Sequence, residues 1–136
     1  MVSHRLVLGP ALTLLILLAI EGSNRWLFTI PNPAVIYFTA VVFAAFHGGM
    51  IPGLISAAIT LIYAALFFST PGAPLSFTPD NFARMLVLLV STPAVAIMVG
   101  FLQRRAAYTT ALLRDRDSAE TASRIKSAFV ASMSHE

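Results

Sequence analysis

Three histidines, His4, His47 and His135, are the side chains here best suited to nucleophilic or proton-transfer chemistry near neutral pH, where an unperturbed imidazole titrates. They are scattered and show no metal-ligand spacing, and the chain has no cysteine, so neither a thiolate metal site nor a disulfide is available. No residue is therefore assigned to a metal or to a bound cofactor. His47 lies beside the Gly48-Gly49 turn. A proton sensor is one use for it, and an ordinary polar residue at a helix end is the commoner one. His135 is distinguished by its company: Glu136 follows it, and a neutral imidazole is a competent nucleophile. A lone His-Glu pair carries little weight, so the residues before it decide what it means.

Lys126, Ser127, Phe129, Ala131, Met133 and Ser134 lead in order to His135 and Glu136. This run resembles the start of the H-box of sensor histidine kinases, usually Lys-Ser-Glu-Phe-Leu-Ala-Asn-Met-Ser-His-Glu followed by Leu-Arg-Thr-Pro. Ala128, Val130 and Ser132 depart from that form at its periphery, while Ser134-His135-Glu136 is intact. The resemblance implies that His135 is the phosphoacceptor for the γ-phosphoryl group of ATP. It implies that Glu136 is the acid/base that holds the other ring nitrogen. Mg²⁺ would neutralise the transferred charge, and an aspartate of a response regulator or receiver domain would take the phosphoryl group onward.

No nucleotide-binding motif, glycine-rich lid or set of Mg²⁺ ligands occurs in the sequence. The expectation is the input end of a larger receptor. Its full-length form is a protein-histidine kinase with ATP and Mg²⁺ in a further catalytic domain, and this portion is inactive alone. A second assignment, from another class, is a non-catalytic membrane-anchored dimerisation or interaction module. A small transporter comes third, because only hydroxyls such as Thr13, Thr39, Ser56 and Thr60 are available to line a path.

The elements that must position His135 follow from composition. The chain has 136 residues, 57% hydrophobic and 11% charged, against about 25% charged in a soluble domain; the mean hydropathy is +0.81. Between Leu6 and Leu102 the only Asp, Glu, Lys or Arg residues are Glu21, Arg25, Asp80 and Arg84. Arg104, Arg105, Arg114, Arg116, Arg124 and Lys126 supply six of the nine basic residues after that stretch. The high pI thus marks membrane topology and gives no reason to expect nucleic acid as a partner.

Apolar segments at residues 6–20, 34–46, 51–68 and 82–102 predict an all-α membrane protein with four transmembrane helices followed by a long cytoplasmic helix. The second and third segments are short and read as a tight hairpin about His47-Gly48-Gly49-Met50. Pro10, Pro33 and Pro52 sit near helix starts, where proline is tolerated. Ile20-Glu21-Gly22-Ser23 is a poor leader-cleavage site, so the first helix is retained. The basic residues place both termini in the cytoplasm of a bacterial inner membrane. The stretch from Glu21 to Trp26 and the Pro-rich stretch from Ser69 to Asn81 are then outer loops, with Trp26, Phe28 and Tyr37 in the interfacial belt. Residues 11–105 resemble the four-helix membrane domain of potassium-responsive sensor kinases, which implies a bundle ahead of a kinase core and names no stimulus. The predicted domains are residues 1–103 (sensor), 104–123 (helical linker) and 124–136 (start of the dimerisation and phosphoacceptor helix).

Within the membrane part, Arg84 reads as a snorkelling residue partnered by Asp80, with anion or headgroup sensing as its functional alternative. Glu21 and Arg25, four apart, form an exposed pair of little energetic value. Pro93, after Ser91 and Thr92, is either a structural bend or a signalling hinge. Gly49 and Gly53 have small-xxx-small spacing, although turn geometry explains them better. After Gln103 an imperfect heptad has Tyr108, Asp115, Ala122 and Phe129 at one core position. Ala111, Ser118, Ile125 and Ser132 occupy the other, giving a weak coil that predicts a homodimer.

Overall fold

The computed structural model describes residues 2–134; His135 and Glu136 lie outside the described residues. Four helices account for the fold: α1 (Val2–Trp26), α2 (Ala34–Gly48), α3 (Met50–Phe67) and α4 (Pro79–Ser134). Among the described residues the only β feature is an isolated bridge between Thr70 and Ala73. The chain is all-α. α1, α3 and α4 are each long and apolar enough to cross a bilayer, which gives it the character of a membrane protein. α2 has 15 residues, a length of about 22 Å against a hydrocarbon core of about 30 Å.

Helix boundaries follow local chemistry, and some differ from those read off the sequence. α1 continues to Trp26, so Glu21–Trp26 is helix and not a loop. Arg25 Nε donates to Glu21 Oε1 across one turn at 2.9 Å, and no proline occurs between Pro10 and Pro31. With α1 starting at Val2, Pro10 lies in the helix interior and not in its first turn. It withdraws one backbone donor there; nearby, Thr13 Oγ1 donates to the Gly9 carbonyl at 3.0 Å. α4 starts three residues before the apolar segment does. Pro79 takes its first position, Thr78 O accepts from Phe82 N–H at 2.8 Å, and Asp80 lies in the first turn.

A compact boundary falls between Gln103 and Arg104. Before it, α1, α2, α3 and the first part of α4 form a bundle. α2 and α3 are an antiparallel hairpin joined by Gly49 alone, whose φ of +95° suits glycine. Leu17, Ile20, Tyr37, Ala64 and Leu88 form one core cluster, drawing on all four helices. Val41, Ala57 and Ala96 form a second.

The rest of the interior is built from small residues. A Cβ on Gly53 would lie 2.6 Å from Ala45 Cβ, and one on Gly100 would lie 2.6 Å from Met50 Cα. These are close backbone approaches of the kind that hold membrane helices together without a hydrophobic driving force. Gly49 and Gly53 therefore have separate jobs, the first in the turn and the second in the helix contact. Large apolar side chains such as Leu18, Ile62 and Val90 face outward, as lipid-facing residues should.

After the boundary the chain is a single helical segment. Every residue from Arg104 to Ser134 is exposed. No proline or glycine occurs in it, and Glu120 and Arg124 pair at 3.0 Å on its surface.

Candidate functional site

The residues preceding the candidate phosphoacceptor are helical through Ser134. Ile125, Phe129 and Met133 follow one another at intervals of four, so they share one face, and each is about two-thirds exposed. Tyr108, Leu112, Leu113 and Val130 are exposed as well. Leu112 and Leu113 fall outside the core positions of the predicted heptad. Ser134 Oγ donates to the Ala131 carbonyl at 3.1 Å, keeping its hydroxyl within the helix. The candidate site residues His135 and Glu136 lie outside the described residues.

A second constellation, inside the bundle, was only half legible from spacing. The Glu21–Arg25 pair forms as expected, at 2.9 Å, with Arg25 exposed and Glu21 half-buried. Tyr63 adds to it: its hydroxyl donates to Glu21 Oε2 at 2.8 Å, across 42 residues of sequence. The Tyr63 ring meets Tyr37 edge-on at 5.8 Å, and Tyr37 is 1% exposed with a hydroxyl that has no hydrogen-bond partner. Three helices thus contribute to one polar corner. No rule of spacing relates Glu21 to Tyr63, because only the return of α3 past α1 joins them.

Asp80 and Arg84 do not pair. Among the described residues the ion pairs are Glu21–Arg25 and Glu120–Arg124. Arg84 instead lines a cleft with Phe38, Phe67, Phe68 and Leu88. His47 is exposed and stacks on Phe43 with ring centroids 4.1 Å apart, a helix-end packing role. α4 is helical through Pro93. Ser91 Oγ donates to the Val87 carbonyl at 2.6 Å, while the Thr92 hydroxyl is buried without a partner. Ser56 and Thr60 on α3 are buried in the same unpartnered way. Among the described residues no group of His, Asp and Glu is arranged to hold a metal ion.

The chain matches the family described as "Domain of unknown function (DUF4118)" over residues 5–116, most of its length, and belongs to that family, a domain found in membrane sensor kinases. No curated protein and no solved structure matches it.

Proposed function

We propose that this chain is the membrane input region of a sensor histidine kinase, joined to the first turns of its phosphoacceptor helix. The observation that carries the proposal is the ordered run from Lys126 to Glu136, downstream of a membrane domain of the DUF4118 family. A single hydrophobic domain has many uses, and an isolated His-Glu pair has more. The combination, in this order and joined by a proline-free helix, is far more restrictive.

In this proposal His135 attacks the γ-phosphorus of ATP through one ring nitrogen, and the bond to the ADP oxygen breaks. Glu136 accepts a hydrogen bond from the other ring nitrogen, which fixes the tautomer and raises the nucleophilicity of the attacking one. ATP and Mg²⁺ belong to a separate catalytic domain, and the phosphoryl group passes on to an aspartate of a response regulator. The exposed Ile125, Phe129 and Met133 face supports a homodimer, in which a helix pair is covered only when a second copy is present. Four crossings with both ends in the cytoplasm agree with the basic residues that follow the bundle.

Phosphorylation of the full-length protein tests this. Incubation with labelled ATP should give acid-labile, base-stable phosphate that His135→Gln abolishes; labelling retained in that variant refutes the site. The reading frame after Glu136 should continue with Leu-Arg-Thr-Pro. The same apolar face also serves the second assignment, a non-catalytic dimerisation module. That assignment is supported if the full-length protein dimerises but takes no phosphate on histidine.

A further inference from the structure

Arg84 is one of only four Asp, Glu, Lys or Arg residues in the long apolar stretch of the chain, so its surroundings bear on what it does. It is exposed, yet it has apolar neighbours. It lines a cleft of about 730 Å³ at the end of the bundle where the α1–α2 connection, the end of α3 and the start of α4 meet. That size lies within the range of about 300–1,000 Å³ found for small-molecule sites. Its lining is largely apolar, with Phe38, Phe67, Phe68 and Leu88, and Thr29 and Asn32 add polar groups. No Asp or Glu lines it, and Asp80, one turn before Arg84, does not pair with the guanidinium.

Both walls are tied in place by hydrogen bonds. Asn24 Oδ1 accepts from the Ile30 N–H at 2.9 Å, fixing the connection after α1. Asn81 Nδ2 donates to the Phe68 carbonyl at 3.1 Å, fixing the start of α4 to the end of α3. The cleft is thus held by the fold itself and joins a largely apolar lining to one uncompensated positive charge.

We infer that this cleft binds a small anionic amphiphile, a single carboxylate on an unbranched or aromatic apolar body, with the carboxylate on Arg84 and the body along Phe38, Phe67 and Phe68. One guanidinium matches one carboxylate in charge and in bidentate geometry. The apolar body covers aromatic surface that the bundle leaves open. Binding here requires no phosphotransfer, so the site stands or falls independently of the kinase proposal.

Photolabelling of the whole chain in phosphatidylcholine nanodiscs tests it, with decanoate carrying a diazirine near its tail as the probe. Labelling should concentrate at residues 30–38, 67–68 and 83–88, and excess decanoate should displace it while decanol should not. Arg84→Gln should weaken labelling about tenfold or more, the loss of a charge-assisted contact, with Arg84→Lys partly restoring it. Ala83→Trp, which removes no contact and fills the mouth of the cleft, should abolish labelling while helicity by circular dichroism stays unchanged. It also serves as the test should Arg84→Gln fail to fold. Equal displacement by decanol, or full labelling in both variants, overturns the inference. So does displacement by phosphatidylglycerol alone, which would assign the cleft to a bilayer lipid.

Discussion

The bundle and the helical segment after Arg104 are both helical, but their side chains are used in opposite ways. In the bundle the contacts are made by the smallest residues: Ala40, Ala44, Ala45, Ala57, Ala64 and Ala96 are buried, and Gly53 and Gly100 admit the backbone of a neighbouring helix. Apart from a few core residues such as Leu17, Ile20, Tyr37, Val41 and Leu88, the large apolar side chains there face outward, where lipid can cover them. In the segment from Arg104 to Ser134 nothing is buried, and its large apolar residues are exposed amid Arg, Asp and Glu. A bilayer suits the first region. In the proposal above, a second copy of the chain covers the second. Fixed packing is seen in the bundle, and a change of register is proposed for the segment that leads to His135.

The largest expected effect that separates the two regions comes from adding bulk. Gly53→Leu and Gly100→Leu should each destabilise the bundle by about 3 kcal/mol or more, because the new side chain meets backbone that cannot move aside. Unfolding in mixed micelles, followed by circular dichroism, measures this. Ala106→Leu, at an exposed position off the predicted coil core, should fall within about 0.5 kcal/mol. Equal costs at the two sets of sites would erase the contrast.

Next comes removal of apolar surface from the exposed face. The double substitution Ile125→Ala with Phe129→Ala should leave bundle stability unchanged and weaken self-association about tenfold or more. Energy transfer between labelled copies, measured on dilution into excess lipid, reads this out. Undiminished transfer would show that association resides in the bundle.

Smaller effects test the polar groups. Tyr63→Phe removes the bond to Glu21, and because that half-buried carboxylate keeps Arg25 as a partner the cost should stay at about 1 kcal/mol. Thr60→Val replaces a buried hydroxyl that has no partner, so it should be neutral or stabilise by up to about 1 kcal/mol. A clear destabilisation would mean that this hydroxyl is paired in the membrane.

Much of the architecture was legible because hydropathy and proline position record it directly. Four apolar stretches became four helices, and Pro33 and Pro79 stand at two of their starts. The end of α1 was misplaced because Glu21, Gly22 and Ser23 look like a loop by polarity, whereas the Glu21–Arg25 pair allows another turn and a half of helix. Pro10 was assigned to a first turn for the related reason that the apolar run starts later than the helix does. The Glu21–Tyr63 bond and the Arg84 cleft depend on how helices return past one another, and no local pattern encodes that. The run ending in His135 was found by its resemblance to a known box, since its own chemistry is a single imidazole beside a single carboxylate.

The one-residue joint at Gly49 has a consequence for topology. Ala45 lies against Gly53 and Tyr37 against Tyr63, so the two arms of the hairpin run side by side in opposite directions. In the proposed topology the pair α2 and α3 adds an even number of crossings, whether both arms cross or both turn back within the bilayer. The parity of that topology is then set by α1 and the first part of α4. On this proposal His4 and Gln103 come out on one side, whatever depth the short α2 reaches.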